Sequence, residues 1–335
     1  MDKIIIQGGR RLKGTVQVSG AKNAALPILF SSILTEGWNE FENIPELRDI
    51  RTTCRLLEKL GLDVDPKKNG RVSVSSNGMR SFTATYDLVK TMRASVLVMG
   101  PLLARVKKAK VSLPGGCAIG ARPINLHLKA FEQMGAKIQI EQGYVIARAK
   151  KLHGAKIHFD TVTVTGTENV MMAAALADGE TILENAAQEP EVVDLANALN
   201  KMGARVFGAG TGTITVEGVD ELKGTTHRVI ADRIEAGTFL IAAAMTGGDV
   251  WVEGIEPLML EALISKLREA GVKISEEEHR IHLTADLPLM ASDVITAPYP
   301  GFATDFQAQF MALMTTATGT SVITENIFEN RFLQA

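Results

Sequence analysis

Phe239-Leu240-Ile241-Ala242-Ala243-Ala244-Met245, a turn at Gly247, a second helical stretch over 258–270 and then Gly271-Val272-Lys273-Ile274 make up the segment that decides the fold. Read in order, it is an apolar helix, a glycine turn, a short strand, an amphipathic helix and a second strand. The glycine after the second helix suits a left-handed C-terminal stop. The alternation that follows it suits a strand.

The same unit recurs along the chain. Residues 24–34, Gly37, residues 47–60 and Gly61-Leu62-Asp63-Val64 form one copy. Residues 171–176, Gly179, residues 192–202 and Gly203-Ala204-Arg205-Val206 form another. Turn and closing glycines keep register, with 37 to 61, 179 to 203 and 247 to 271 each 24 residues apart. A further copy closes at Gly135-Ala136-Lys137-Ile138, with Lys108-Ala109-Lys110 where the others have the glycine turn. The closing glycines at 61, 135, 203 and 271 are spaced by 74, 68 and 68 residues. That period is too long for a solenoid and fits a compact β-α-β-α-β module. In a fifth copy, residues 306–315 form the first helix and Gly319 the turn, so a closing glycine is expected near 343. The chain stops at Ala335, inside the expected second helix.

Composition narrows the class. The chain has 335 residues, 46% hydrophobic and 22% charged, with a formal net charge of −2. These values fit a globular protein of two ordinary domains and no general nucleic-acid binder. The longest apolar runs, such as 170–177, are too short to span a bilayer. The first residues read as a strand, not a targeting segment, and the chain has two cysteines. A reducing cytoplasm is therefore expected. Cys54 shares a helical stripe with Ile50, Leu57 and Leu60, which assigns it to core packing and argues against a Cys54–Cys117 disulfide. No metal or organic cofactor is expected. The chain has no His/Cys cluster of zinc spacing, and its glycine pairs match neither the Walker nor the Rossmann fingerprint.

Gly115-Gly116-Cys117-Ala118-Ile119-Gly120-Ala121-Arg122-Pro123 sets a thiol between glycines, with a guanidinium five residues on. Such a thiol is accessible and its thiolate is favoured. A tight strand-to-helix turn around a small buried cysteine gives the same local pattern. The first helices of the units open on polar residues: Ser19-Gly20-Ala21-Lys22-Asn23 with Ser19 as a candidate cap, Thr91-Met92-Arg93, Asp232-Arg233 and Thr304-Asp305. A cation in a first turn opposes the helix dipole, so Lys22, Arg93 and Arg233 point to an anionic ligand where the units converge. The competing reading pairs each cation with a nearby carboxylate. Asp305 also fits ordinary dipole complementarity.

These residues carry a resemblance. Ser19-Gly-Ala-Lys-Asn-Ala, Met92-Arg93-Ala-Ser, the cysteine loop, Glu189-Pro-Glu, Asp232-Arg-Ile-Glu, Thr304-Asp305 with Gln307-Ala-Gln, and Phe328-Glu-Asn-Arg-Phe resemble the enolpyruvyl transferases. The branch resembled acts on UDP-N-acetylglucosamine. The resemblance implies a two-domain α/β fold, an inside-out α/β barrel of repeated units. Its first domain spans about 22–229 with three units, and its second combines 1–21 with 230–335, incomplete at its C-terminus.

The implied substrates are phosphoenolpyruvate and UDP-N-acetylglucosamine, in the first committed step of peptidoglycan synthesis. Lys22 and Asn23 would hold phosphoenolpyruvate. Cys117 would be the general acid, the site of a covalent adduct and the target of fosfomycin. Asp305 would orient or deprotonate the sugar hydroxyl. Arg93, Arg122, Pro123, Ile124, Asn125, Leu126 and Ile327 would line the sugar-nucleotide site, and His127 stays open between a nucleotide contact and a solvated or capping role. The stretch from Asp160 to Asn169 follows the branch without a lysine after the aspartate. The family continues for a further repeat carrying arginines that complete the phosphoenolpyruvate pocket. A non-catalytic nucleotide-sugar-binding chain is therefore the first alternative, and a 3-phosphoshikimate 1-carboxyvinyltransferase the second.

Overall fold

The computed structural model describes residues 3–67, 69–90, 92–113 and 124–335. The chain divides into two compact units, Gly20–Ile230 and Met1–Ser19 with Ala231–Ala335. The described residues contain four four-stranded sheets of one topology, three in the first unit and one in the second. In Gly20–Ile230 the sheet orders are Thr226–Arg228, Trp38–Glu42, Arg71–Ser75, Asp63–Lys67; then Thr83–Ala84, Lys108–Ser112, Tyr144–Arg148, Lys137–Glu141; then Lys156–His158, Glu180–Glu184, Thr213–Glu217, Arg205–Phe207. In the other unit the order is Lys13–Gln17, Asp249–Glu253, Arg280–Thr284, Lys273–Glu277.

Each sheet opens with a parallel pair and continues antiparallel. The repeat is thus β-α-β-α-β-β, one hairpin strand longer than the sequence pattern suggests. The parallel strand comes from just before the unit's first helix in two sheets. In the other two it comes from elsewhere in the chain: Thr226–Arg228 joins the first sheet, and Lys13–Gln17 joins Asp249–Glu253.

The first helices explain this arrangement. In Lys22–Ser31, residues 24 to 31 are all buried, and in Val164–Ala174 residues 166 to 174 are all buried. A helix without a polar face must be enclosed. Met99–Val106 and Lys22–Ser31 both pack on Val164–Ala174. The second helices, Arg48–Leu60, Asn125–Gln133 and Pro190–Lys201, carry one apolar stripe each, as in Ile50, Leu57 and Leu60. Strands alternate buried and accessible residues, as in Thr213–Glu217 with Ile214 and Val216 inside. Phe30, Phe41, Phe131 and Phe159 lie fully buried in this core. Cutting one back to alanine typically costs about 3–5 kcal/mol. In the other unit, Arg233–Met245 packs against the sheet and against Gln307–Met314, around Phe302, Phe306 and Phe310. Val294–Ile295 pairs in parallel with Ile323–Thr324. No helix among the described residues is long and apolar enough to cross a membrane.

Two local expectations are corrected. The turn of the second copy is not at Lys108-Ala109-Lys110, which lies in the strand Lys108–Ser112. Lys107 takes the turn, at φ +63°, where Gly37, Gly179 and Gly247 sit at +85°, +86° and +62°. Ser19 does not cap the first helix. Ala21 is the N-cap residue, and both the Ser19 amide and its hydroxyl donate to Glu235 Oε2.

The closing glycines 61, 135, 203 and 271 all lie between φ +91° and +104°. Left-handed backbone costs an L side chain roughly 1–2 kcal/mol. Lys107→Gly should therefore raise the thermal midpoint. Gly203→Ala should lower it by strain alone, since an added Cβ there meets nothing within 4 Å. Melting curves of the two variants check both signs.

Candidate active site

In Gly20–Ile230, Lys22 is the first residue of its helix, with Nζ 3.6 Å from Asp49 Oδ2. The two side chains are 39% and 33% exposed. A long, hydrated pair of this kind contributes only about 0.2–1 kcal/mol, so an incoming anion competes with it easily. The carboxylate-pairing reading thus holds for Lys22 without excluding a ligand. Asn23 follows it, exposed. Arg93 opens the short helical turn Arg93–Val98 and is half-buried. Ile124 is the N-cap of Asn125–Gln133. Ile124 and Leu126 pack against the core, while Asn125 is exposed. Cys117, Arg122 and Pro123 lie outside the described residues, as does Thr91.

The other unit carries Asp305, Ile327 and Arg233. Asp305 lies in the turn Thr304–Phe306 that leads into Gln307–Met314. Its Oδ1 accepts a charge-assisted hydrogen bond from Arg331 at 2.8 Å. Dipole complementarity is therefore not its only interaction. Arg331 belongs to the quoted Phe328-Glu-Asn-Arg-Phe run, yet a partner 26 residues away leaves no local signal. Glu325 shapes the loop between them. Its Oε1 accepts from Thr296 and from the amides of Ile327 and Phe328, and its Oε2 accepts from Thr304. One carboxylate therefore fixes the Ile327 backbone and the turn holding Asp305. Arg233 is buried, with its guanidinium 5.5 Å from the centre of the Tyr299 ring. Asp232 caps the same helix through Oδ1 to the amides of Ile234 and Glu235.

Several residues outside the expected set stand out. Arg48, Arg51 and Arg55 line a groove with Thr52, Asp87 and Leu88, on the helix that supplies Asp49. Their spacing of three and four residues was readable as one helical face. His127 is neither solvated nor capping. It is buried, with Nδ1 3.0 Å from Asn169 Nδ2 and Nε2 3.4 Å from Thr165 Oγ1. Burial and the Arg93 charge bring its pKa down to about 4. Asp160 pairs with Lys129 at 3.0 Å on the surface, and Thr163 caps Val164–Ala174 by accepting from Gly166 N. Cys54 is buried as expected, its thiol pushed up to about 11 by burial and then by Glu58.

Glu168 is the least expected group. It lies inside the fully buried face of Val164–Ala174, and its Oε1 has no hydrogen-bond partner among the described residues. Burial first, then Glu191 and Glu189, raise its pKa well above the usual carboxyl range. An uncharged carboxyl is the physical outcome, because an ionised one would sit dry beside two other acids.

Comparison with known proteins defines the class first. A family model described as EPSP synthase (3-phosphoshikimate 1-carboxyvinyltransferase) matches residues 6–335, and the chain belongs to this family of enolpyruvyl transferases. Among its relatives, the UDP-N-acetylglucosamine 1-carboxyvinyltransferase of Geotalea uraniireducens (strain Rf4) is 60% identical over 333 residues, 99% of this chain and 80% of that protein. The protein of that name from Geobacter metallireducens is 59% identical over the same share. The enolpyruvyl transferase NikO from Streptomyces tendae superposes with a TM-score of 0.84 at 19% identity, covering 96% of this chain and 76% of that one. An EPSP synthase from Acinetobacter baumannii gives 0.73 at 22%, covering 95% and 75%. At these identities the structures speak for the fold alone.

Glu168 generates a pH prediction. Above the unfolded value of 4.5 the folded state retains a proton that the unfolded state loses. Stability therefore falls as pH rises from 4.5 towards the folded pKa, by about 1 kcal/mol per pH unit. Glu168→Gln keeps the shape and removes this slope. Its advantage in urea midpoint over the parent chain should grow between pH 5 and 7, and a constant difference would show that Glu168 titrates normally.

Proposed function

We propose that this chain transfers the enolpyruvyl group of phosphoenolpyruvate to the 3-hydroxyl of UDP-N-acetylglucosamine, releasing phosphate, in the first committed step of peptidoglycan synthesis. The observation that carries this reading is the 60% identity to a UDP-N-acetylglucosamine 1-carboxyvinyltransferase over 99% of the chain. The family model bears the shikimate enzyme's name, but identity to an EPSP synthase of solved structure is 22%. The sugar-nucleotide substrate is favoured accordingly. Roles in cell-wall biogenesis, cell shape and division, and a cytoplasmic location, follow from that reaction.

The site residues take these roles in the proposal. Lys22 and Asn23 hold phosphoenolpyruvate at the start of a helix, where the dipole and a cation favour a small polyanion. Cys117 protonates the methylene carbon while the sugar oxygen bonds to C2, and Asp305 accepts or orients the proton of that hydroxyl. The tetrahedral ketal then loses phosphate, and a proton leaves the new methyl to restore the vinyl group. The same thiol can add to C2 and hold a phospholactoyl adduct. Arg93, Arg122, Pro123, Ile124, Asn125, Leu126 and Ile327 line the sugar-nucleotide site. Cations aimed at the phosphorylated group are a usual source of transition-state stabilisation. The bond from Arg331 to Asp305 supports the Asp305 role by fixing the carboxylate's orientation.

Two measurements test the reading. Fosfomycin should alkylate Cys117 and spare Cys54, whose thiol at about 11 carries almost no thiolate at neutral pH. Mass spectrometry showing label on Cys54 alone would remove Cys117 from the mechanism. Lys22→Ala should cut phosphate release from phosphoenolpyruvate and UDP-N-acetylglucosamine by at least about 100-fold, consistent with a lost electrostatic donor. Sugar-nucleotide binding should change little. Unchanged turnover would make Lys22 a surface charge paired with Asp49.

A further inference from the structure

Asn169 lies in the middle of Val164–Ala174 and is fully buried. A buried amide has two donors and an acceptor to satisfy. Its Oδ1 accepts the Gly100 amide at 2.7 Å. Its Nδ2 donates to the Val96 carbonyl at 2.9 Å and meets His127 Nδ1 at 3.0 Å. Those partners belong to two helical runs: Arg93–Val98, which continues directly into Met99–Val106, and Asn125–Gln133. Contact is close enough that a Cβ at residue 100 would lie 2.2 Å from the Asn169 carbonyl oxygen, so only glycine fits there.

The hydrogen-bond logic has one solution. The Gly100 amide can bond only to an acceptor, so the Asn169 oxygen must face it and the NH2 must face His127. His127 Nδ1 is then the acceptor, and the ring proton sits on Nε2, directed at Thr165 Oγ1. Arg93 from the neighbouring turn is the charged group acting on the ring, and the helix Val164–Ala174 meets it with Thr165 and Asn169. A neutral imidazole in one tautomer is the state this surrounding holds.

We propose that Asn169 is a positioning residue for the sugar-nucleotide substrate. One amide ties the turn that begins at Arg93 to the start of the helix that carries Ile124, Asn125 and Leu126, through Val96 on one side and His127 on the other. The bond to Val96 lies one turn beyond Arg93, and His127 follows Leu126 directly. Asn169 fixes where these segments stand relative to each other and touches no substrate itself. The inference rests on the reading that Arg93 and residues 124–126 bind the sugar nucleotide.

The test measures KM for UDP-N-acetylglucosamine, KM for phosphoenolpyruvate and kcat in the full 335-residue chain. Asn169→Ala should raise the sugar-nucleotide KM roughly tenfold, the scale of one lost charged or buried hydrogen bond. The other two constants should move far less. A uniform loss in all three, or no change, would overturn the proposal. Asn169→Asp is the isosteric control if the alanine variant does not fold. It keeps an acceptor for Gly100, loses the donor to the Val96 carbonyl and sets a carboxylate against His127 Nδ1, which then favours a protonated ring. Its sugar-nucleotide KM, relative to the parent chain, should change with pH between 5.5 and 8, and a pH-independent ratio would overturn the proposal. Arg93→Ala separates the two readings. A raised sugar-nucleotide KM there with a normal Asn169→Ala rejects Asn169 alone, whereas an unchanged KM in Arg93→Ala rejects the binding role of the segment itself.

Discussion

The structure depends on the enclosure of helices that have no polar side. From Ala24 to Ser31 and from Gly166 to Ala174, every residue is buried. Such helices can be stable only if protein surrounds them, and the four-stranded sheets with their amphipathic helices supply the cover. The sheets in turn can face water on one side, because their strands alternate inside and outside residues. Each repeat therefore contributes one element to be hidden and several to hide it. That division of labour explains why a single pattern recurs instead of a mixture.

Enclosure also decides where chemistry can happen. With their bodies buried, Lys22–Ser31 and Val164–Ala174 reach solvent only at their first turns, and Lys22 sits at one such start. Arg93 and Asp305 open short helical turns, and Asn125 begins an outer helix. The unsatisfied amides of a helix start favour an anion, and a lysine or arginine added there deepens the attraction. The cost is a cation facing the wrong end of the dipole. Lys22 offsets it with a loose pair to Asp49, and Arg233 with the ring of Tyr299.

Polar groups inside the enclosed region meet stricter terms. Asn169 satisfies every atom of its amide and so can link two helical runs. Glu168, next to it, leaves one oxygen without a partner among the described residues and holds its proton instead. His127 gives up its charge for the same reason, two bonds to neutral groups being available and a positive Arg93 nearby. These neighbours show one rule with two outcomes: a dry polar group is paired, or it is neutral.

The sequence by itself determined the repeat, because its markers act locally. Gly61, Gly135, Gly203 and Gly271 stop helices at positive φ, a requirement of the residue's own backbone that needs no distant partner. The apolar runs and the polar helix starts were legible for the same reason, and with them the family. What tertiary structure decided were matters of long-range pairing. Lys107 takes a left-handed turn that its side chain disfavours, and nothing in Lys-Lys-Ala-Lys announces it. The pairing of each hairpin with the strand after the unit's first helix, the bond from Arg331 to Asp305 and the Asn169–His127 link join residues far apart in the chain. Their partners are chosen by packing, since a buried hydrogen bond forms with whatever group the fold brings within 3 Å. A local pattern can therefore mark where a helix starts or stops, but only the assembled core decides which buried groups share a proton.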